Sequence, residues 1–185
     1  MRVVVTGATG FVGQRVCAVL AAAGHVICAA LRRDSAALPG VTERVVVGDA
    51  GPDTAWRAAL AADDTLVHLA ARAHQGESEQ ARADFQRINV DGTRTLVEAA
   101  IAARARHVVF ISSAKVFGEV SPPDAHGQPH RFCAGDTPRP VGPYGESKLA
   151  AERLLEQHCA HAGLALTILR PPLVYGPGNK ANLQA

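Results

Sequence analysis

The chain lacks the features of exported, membrane-spanning and nucleic-acid-binding proteins. Its formal net charge is only +2, and its lysines and arginines are scattered, which argues against a nucleic-acid-binding surface. No apolar run approaches the roughly 18 to 20 residues of a membrane span, and the first residues show no signal-peptide pattern. The four cysteines form no CxxC pair, as expected for reduced thiols in a cytoplasm. We therefore expect a cytoplasmic protein with no membrane and no nucleic-acid partner.

A metal site is not expected either. His158, Cys159 and His161 are close together near the end of a predicted helix, but the sequence offers no fourth ligand. Polar and cationic residues at this position suit the negative end of the helix dipole.

Short apolar segments rich in β-branched residues alternate with helical segments along the 185 residues. The predicted strands are 2–6, 26–31, 44–47, 65–69, 107–111 and 164–169. The predicted helices are 11–23, 52–60, 85–103 and 144–162, and a loop rich in Pro and Gly covers 120–142. This alternation predicts an α/β fold: a doubly wound parallel sheet of the Rossmann type, with three α/β/α layers. The length suits one domain with a substantial core, or one domain plus a fragment of another.

A glycine motif lies at the first strand-to-helix turn, in the run Thr6-Gly7-Ala8-Thr9-Gly10-Phe11-Val12-Gly13. Glycine can adopt positive φ and has no Cβ, so the backbone can approach a pyrophosphate closely. The following helix start offers free N–H groups and a partial positive charge, and the last glycine allows close packing of helix and sheet. The strand before the motif and the helix after it favour a dinucleotide site over a glycine-rich turn without a ligand.

The end of the second predicted strand bears on the choice between NAD and NADP. NAD-selective sites place an acidic residue there for the ribose 2′-hydroxyl. This chain has Arg32 and Arg33 before Asp34, and arginines suit a 2′-phosphate through charge-assisted hydrogen bonds. The alternative is that both arginines are solvated surface charges. We predict NAD or NADP as the cofactor, with NADP slightly favoured.

Tyr144 and Lys148 are four residues apart at the start of a predicted helix and therefore share one face of it. A free tyrosine has a pKa of about 10. A neighbouring ammonium, together with an oxidised nicotinamide, favours the phenolate and lowers that pKa. Ser113 follows the fifth strand, at the carboxyl edge where such sheets bind ligands. The pattern predicts Ser113, Tyr144 and Lys148 as a catalytic set for hydride chemistry on an alcohol or ketone, the alternative being a surface helix with an unremarkable Tyr and Lys.

Further motifs extend over nearly the whole chain. They are Gly48-Asp49, Val67-His68-Leu69-Ala70-Ala71, Asn89-Val90-Asp91-Gly92-Thr93, Phe110-Ile111-Ser112-Ser113, Leu169-Arg170-Pro171-Pro172 and Tyr175-Gly176-Pro177-Gly178. With the glycine motif and the Tyr/Lys pair, they resemble the extended short-chain dehydrogenase/reductase family, specifically its NAD-dependent epimerase/dehydratase group acting on nucleotide sugars.

The resemblance implies roles for individual residues. The residue matching Asp49 would hydrogen-bond adenine, the backbone of 69–71 would pass beside the cofactor, and Asn89 would brace the active site. The full set of expected cofactor contacts is Gly7, Thr9, Gly10, Phe11, Val12, Gly13, Arg32, Asp49, Ala50, Leu69, Ala70, Ala71, Asn89, Ile111, Ser112, Tyr144, Lys148 and Pro171. The family's helices matching 85–103 and 144–162 pack across a two-fold axis, which implies a homodimer.

Departures from the family pattern narrow the subgroup. The 4,6-dehydratases carry an Asp-Glu pair shortly after the active-site hydroxyl, whereas this chain has Ala114-Lys115, which disfavours sugar dehydration. The run 113–116 together with 170–176 looks most like the subgroup near UDP-glucose 4-epimerase. That subgroup includes 4-keto-sugar reductases of bacterial surface polysaccharide synthesis, so the resemblance implies a UDP-sugar substrate.

Family members have about 300 residues or more and a second lobe. We therefore expect 1–165 to form the NAD(P)-binding domain with the catalytic residues, and 166–185 to form the last strand and the start of an incomplete substrate lobe. The expected function is an NAD(P)-dependent nucleotide-sugar epimerase or 4-keto-sugar reductase/dehydrogenase, with Tyr144 as the acid/base and hydride transfer at sugar C4. The alternative is a truncated, non-catalytic dinucleotide-binding module.

Overall fold

Six parallel strands form the sheet of the computed structural model, which describes residues 1–34, 38–73, 78–123 and 126–177. The strands are β1 (Arg2–Thr6), β2 (Val26–Leu31), β3 (Glu43–Val46), β4 (Thr65–His68), β5 (His107–Ile111) and β6 (Ala165–Leu169). The helices are α1 (Phe11–Ala22), α2 (Glu79–Phe85), α3 (Gly92–Ala102) and α4 (Gly142–Ala162). The order across the sheet is β3-β2-β1-β4-β5-β6, which confirms the predicted doubly wound fold.

The strand order reverses at β1. The chain runs outward from β1 to β3 and then returns to β4 on the other side of β1. Thr6 at the end of β1 pairs with Ala30 of β2 and with His68 of β4. The carboxyl ends of these strands therefore meet at one edge, and the crevice outside that edge is where doubly wound sheets bind ligands.

The two faces of the sheet bury separate apolar clusters, because alternate side chains of a strand point to opposite faces. On one face, Leu66 and Phe110 pack with Leu96 of α3 and Leu155 of α4. On the other face, residues of β1 and β2 pack with α1, among them Val3, Val5, Cys17 and Ile27. Both faces are covered by helices, as expected for a parallel sheet.

The segment 52–60, predicted to be helical, contains only the tight turn Trp56–Ala58. The Thr54 hydroxyl accepts from the Gly51 N–H at 2.8 Å and donates to the Asp49 carbonyl at 2.6 Å. Local bonds between a threonine side chain and the backbone compete with the hydrogen bonds of a helix. The helix prediction was therefore wrong for most of this segment.

The helix predicted for 85–103 begins earlier and is interrupted. α2 starts at Glu79 because the Ser78 hydroxyl caps it, accepting from the Ala81 N–H at 3.2 Å. A π-helical turn, Gln86–Asp91, then joins α2 to α3. Such turns insert one extra residue per turn and are frequent at functional sites. Here the turn contains the buried side chain of Asn89.

The loop predicted for 120–142 packs on the tight turn Ala114–Phe117, in the part that the structure describes. The Phe132 ring stacks on Phe117 with centroids 5.0 Å apart, and the Arg139 N–H donates to the Val116 carbonyl at 2.9 Å. Residues 124–125 of the loop lie outside the described residues, as do 178–185 of the predicted unit 166–185.

None of the helices in the described ranges is long and apolar enough to cross a membrane. In those same ranges, no group of three or more His, Cys, Asp and Glu side chains is arranged to hold a metal ion. His158 Nδ1 instead donates to the Leu154 carbonyl at 2.9 Å, and Cys159 is part of the apolar core.

Candidate active site

The glycine turn between β1 and α1 leaves no room for a side chain at Gly7 or at Gly13. Gly7 has a φ of +70°, and a Cβ there would lie 2.8 Å from the Ala70 nitrogen. A Cβ at Gly13 would lie 2.1 Å from the Gly7 carbonyl oxygen. The Gly10 N–H donates to the same oxygen at 3.0 Å and closes the turn. The backbone is therefore bare where the N-terminus of α1 faces the crevice, and this shape fits a pyrophosphate.

A cleft of about 540 Å³ opens at this turn, within the size range of ligand pockets. The predicted residues that line it are Gly7, Thr9, Gly10, Arg32, Asp49, Ala50, Leu69, Ala70 and Ala71. The lining also includes residues that were not predicted: Ala8, Ala30, Leu31, Val47, Gly48, Arg72, Ala73, Arg87 and Ile88. The remaining predicted contacts lie outside the lining: Phe11, Val12, Gly13, Asn89, Ile111, Ser112, Tyr144, Lys148 and Pro171.

The charged side chains of the cleft are mostly cationic. Three arginines, Arg32, Arg72 and Arg87, line it together with one carboxylate, Asp49. Arg32 Nε lies 3.5 Å from Asp49 Oδ1, and both side chains are largely exposed. An exposed ion pair of this kind is weak and opens at little cost. The cleft therefore attracts an anionic ligand.

Ser113 and Tyr144 meet beside the carboxyl end of β5. Tyr144 lies in the first turn of α4, where Pro143 suits the helix start. Burial raises the pKa of the Tyr144 phenol, and a side-chain hydrogen bond with Ser113 acts in the opposite direction. Without a bound dinucleotide, the pKa of the phenol is therefore raised, because the effect of burial is the larger one. The Phe85 ring packs edge-on against the Tyr144 ring, with centroids 6.0 Å apart.

Lys148 is almost fully buried one turn further along α4. Its Nζ lies 4.1 Å from the centroid of the Phe110 ring, a cation–π contact. Burial lowers the pKa of Lys148 to about 7, while the nearby Glu152 carboxylate acts in the opposite direction. Glu152, four residues on, accepts three hydrogen bonds from the Arg170 guanidinium at 2.8 to 3.2 Å. One face of α4 thus carries a phenol, an ammonium and a paired carboxylate.

Asn89 connects the loop after β4 to α4. Its Oδ1 accepts from the Arg72 N–H at 2.7 Å, and its Nδ2 donates to the Arg72 carbonyl at 3.1 Å. The same Nδ2 donates to Ser147 Oγ at 3.0 Å. Ser147 Oγ in turn donates to the Tyr144 carbonyl at 2.8 Å. The Ser147 side chain therefore links Asn89 to the backbone of Tyr144.

Other predicted contacts lie along the same edge of the sheet. Ile111 ends β5, and the Ser112 hydroxyl is buried with no hydrogen-bond partner among the described residues. The Pro171 carbonyl accepts from the Ala114 N–H at 2.9 Å, which joins the chain after β6 to the turn after Ser113. Phe11 is at the start of α1, and its side chain is exposed.

Among the residues that the sequence interpretation missed, three are charged: Glu152, Arg87 and Arg72. Glu152 carries a visible signal, because it extends the four-residue spacing of Tyr144 and Lys148. Arg87 falls within the predicted helix 85–103, but it lies in the π-helical turn and lines the cleft. Arg72 follows the predicted strand 65–69 without any pattern that marks it.

A doubly wound sheet, a glycine turn at its switch point and a Ser-Tyr-Lys set, with Ser113 after β5 and the other two on α4, are typical of the short-chain dehydrogenase/reductase class. The profile of the NAD dependent epimerase/dehydratase family matches residues 3–184. The chain belongs to this family.

Individual relatives agree with the family assignment. The chain is 33% identical over 183 residues to the UDP-glucose 4-epimerase of Vibrio cholerae, covering 97% of this chain and 54% of that protein. It is 37% identical over 182 residues to a 3-diazoavenalumate denitrifying reductase of a Streptomyces species, covering 96% and 58%. The solved structure of MoeE5 in complex with UDP-glucose and NAD aligns with a TM-score of 0.81 and 34% identity, covering 97% of this chain and 57% of that one. The chain thus spans little more than half the length of these relatives.

Proposed function

We propose that the protein binds NAD or NADP in the cleft and catalyses hydride chemistry on a nucleotide sugar, as an epimerase or as a 4-keto-sugar reductase/dehydrogenase. One observation carries the proposal. Tyr144, whose phenol is hydrogen-bonded to Ser113, and the buried Lys148 lie at the carboxyl edge of the same sheet whose first strand ends in the glycine turn.

The cleft residues would hold the dinucleotide. The glycine turn and the start of α1 would receive the pyrophosphate, and Asp49 with Ala50 would face adenine. The backbone of 69–71 would run beside the cofactor. When bound, the nicotinamide would supply the acceptor or donor of a hydride at sugar C4. Ile111, Ser112 and Pro171, at the carboxyl ends of β5 and β6, would lie near that ring.

The preference for NADP rests on Arg32. This side chain lines the cleft, is exposed and is paired only weakly with Asp49, so it is available to a 2′-phosphate. Relatives with NAD in their structures support the other choice, MoeE5 among them. We keep NADP as the slightly favoured cofactor.

The side chains of this protein would move the proton. Tyr144 would accept the proton of the sugar 4-hydroxyl in oxidation and return it in reduction. Ser113 would orient the reacting oxygen through its hydroxyl. The Lys148 ammonium would favour the phenolate, and its own pKa of about 7 makes its charge sensitive to pH near neutrality. Asn89 would hold the turn of α4 that carries Tyr144.

The substrate class follows from the relatives and from one departure. MoeE5 was solved with UDP-glucose and the Vibrio cholerae relative is a UDP-glucose 4-epimerase, which supports a UDP-sugar here. Lys115 stands where dehydratases carry a carboxylate, and it pairs with Glu119 at 2.7 Å, so water elimination is disfavoured. We further propose a homodimer in the cytoplasm, acting in bacterial surface polysaccharide synthesis.

The proposed function is tested by titrating the protein with NAD and with NADP and by following nicotinamide absorbance with UDP-sugars. Tyr144→Phe is expected to abolish turnover and to leave dinucleotide affinity nearly unchanged. Arg32→Ala is expected to weaken NADP binding more than NAD binding. Dinucleotide binding with no turnover for any sugar would favour a non-catalytic dinucleotide-binding module. Absence of binding to both dinucleotides would refute the proposal.

A further inference from the structure

The buried His68, at the end of β4, lies between the cleft and α4. Its Nδ1 is 2.7 Å from Thr6 Oγ1, and its Nε2 is 3.1 Å from Thr93 Oγ1. The rings of Phe110 and Trp56 flank the imidazole, with centroids 5.6 and 6.4 Å away. Each ring nitrogen therefore has one hydroxyl as its partner.

The bonds of the two hydroxyls determine which nitrogen carries the proton. Thr93 Oγ1 donates its single proton to the Asn89 carbonyl at 2.7 Å, so towards His68 it can only accept. Thr6 Oγ1 accepts two backbone N–H groups of the loop after β4, at 3.1 and 3.2 Å, so its own proton is available for Nδ1. His68 is therefore the neutral tautomer with the proton on Nε2.

These hydrogen bonds do not accommodate a second proton on His68, at Nδ1. It would point Nδ1–H at the oxygen of Thr6, which already accepts two N–H groups. Burial, followed by the positive charge of Lys148 on α4, lowers the pKa of His68 to about 3. Phe110 of β5 and Trp56 add no charge from their side of the ring.

The hydrogen bonds continue on both sides of the ring. Thr6 immediately precedes the glycine turn, and the N–H groups it holds belong to Leu69 and Ala70, which line the cleft. On the other side, Asn89 leads through Ser147 to the Tyr144 carbonyl. We call this series the His68 chain, and its members are Thr6, His68, Thr93, Asn89 and Ser147.

We propose that His68 is a positioning residue: as a neutral ring with a fixed proton direction, it joins the backbone that lines the dinucleotide cleft to the turn of α4 that carries Tyr144. The inference rests on the proposed function in that it takes the cleft as the dinucleotide site and Tyr144 as the acid/base. Breaking the His68 chain at Thr93 is then expected to change both the cleft and the surroundings of the Tyr144 phenol, although Thr93 is not among the residues that line the cleft.

The first test observes the ring directly in the protein without ligand. Two-bond ¹H–¹⁵N correlation spectra distinguish the two neutral tautomers and the charged ring, and the His68→Gln variant identifies the signals. We expect the Nε2–H tautomer, unchanged between about pH 5 and pH 8. A ring that titrates in this range, or that carries its proton on Nδ1, would overturn the proposal.

The second test breaks the His68 chain. Thr93→Val removes the hydroxyl at nearly constant shape, and Thr93→Ser keeps it. Thr95→Val is the matched control, because Thr95 lies on the same helix, accepts from Trp56 at 3.2 Å and is outside the His68 chain. We expect Thr93→Val to shift the ¹³Cζ resonance of Tyr144 and to weaken dinucleotide binding about fivefold or more. Thr93→Ser is expected to restore the wild-type resonance and affinity, and Thr95→Val is expected to change neither of these two quantities.

The two proposals fail in different ways. If no dinucleotide binds to the wild-type protein, the proposed function fails, while the tautomer and the Tyr144 resonance still test the His68 chain. If the dinucleotide binds and Thr93→Val leaves both the affinity and the resonance as in wild type, the His68 chain does no positioning. If Thr93→Val does not fold, the wild-type tautomer decides the question.

Discussion

The ammonium of Lys148 lies over the ring of Phe110, 4.1 Å from its centroid, with almost none of the side chain exposed. The electron-rich face of the ring attracts the positive charge and replaces part of the hydration that the ammonium loses on burial. Burial still lowers the pKa of Lys148 to about 7. The site therefore contains a lysine whose charge changes near neutral pH.

The buried lysine predicts a pH-dependent stability. The pKa of Lys148 falls from 10.5 in the unfolded chain to about 7 in the folded one, so between these values the unfolded state binds more protons. The free energy of unfolding of the wild type, relative to Lys148→Met, therefore rises as the pH increases from about 7 to 10, by up to a few kcal/mol. Below about pH 7 the full cost of the buried charge is present in the wild type.

The measurement is urea unfolding of both proteins at several pH values. The raised pKa values of Cys17, Cys28 and Cys159 make the free energy of unfolding fall as the pH rises through the same range. This contribution is common to both proteins and cancels in the difference between them. Lys115→Met, which changes an exposed lysine, is the control and should show no such slope. A difference between wild type and Lys148→Met that does not vary with pH would argue against the lowered pKa.

Replacing a glycine of this turn by alanine is expected to have different effects at Gly10 and at Gly13. A Cβ at Gly10 would lie 3.2 Å from the Gly7 carbonyl oxygen, a contact that small shifts relieve, and its φ of −75° is open to alanine. Gly10→Ala should therefore fold and should weaken dinucleotide binding about tenfold or more, because the methyl occupies the cradle. In Gly13→Ala the Cβ would lie 2.1 Å from a backbone oxygen, so loss of folding stability is expected.

Thermal melts and dinucleotide titrations separate these effects. Gly135→Ala is the control, because no atom lies within 4 Å of a Cβ at Gly135. Unchanged affinity in a folded Gly10→Ala protein would show that the dinucleotide does not lie on this turn.

The ion pair of Glu152 with Arg170 predicts a large loss of stability. Glu152 is 1% exposed, and Arg170 also donates to the Ala134 carbonyl at 3.0 Å and lies over the Phe117 ring at 5.0 Å. Removing one member of a buried pair leaves the other charge uncompensated. Glu152→Gln should lower the free energy of unfolding by about 3 kcal/mol.

Glu146→Gln offers a matched control on the same helix. Glu146 pairs with Arg82 at 2.5 Å, but both side chains are exposed, so its loss should cost less than about 1 kcal/mol. Chemical denaturation of the two variants makes the comparison, and equal losses would contradict the distinction between buried and exposed pairs.

Local sequence was sufficient to predict the strands and the glycine turn. Most of the strands are short apolar runs that contain β-branched residues. The turn is marked by glycines whose conformation or packing allows no side chain, as at Gly7 and Gly13. The spacing of Tyr144 and Lys148 likewise placed both on one helix face. These features depend on residues within a few positions of one another.

Features that depend on distant residues were not predictable in the same way. The π-helical turn interrupts the predicted helix 85–103, and it contains Arg87, which lines the cleft. The raised pKa of Tyr144 and the lowered pKa of Lys148 follow from burial under several elements. No pattern within α4 reveals that burial.

The most direct test of the account uses the two tyrosines of the chain, the half-buried Tyr144 and the exposed Tyr175. The ¹³Cζ resonance of each phenol is titrated with pH, without and with saturating oxidised dinucleotide. The account predicts that the dinucleotide lowers the pKa of Tyr144 by about one unit or more, because its positive nicotinamide lies beside the phenol, and leaves Tyr175 unchanged. An identical Tyr144 titration in both conditions would contradict it.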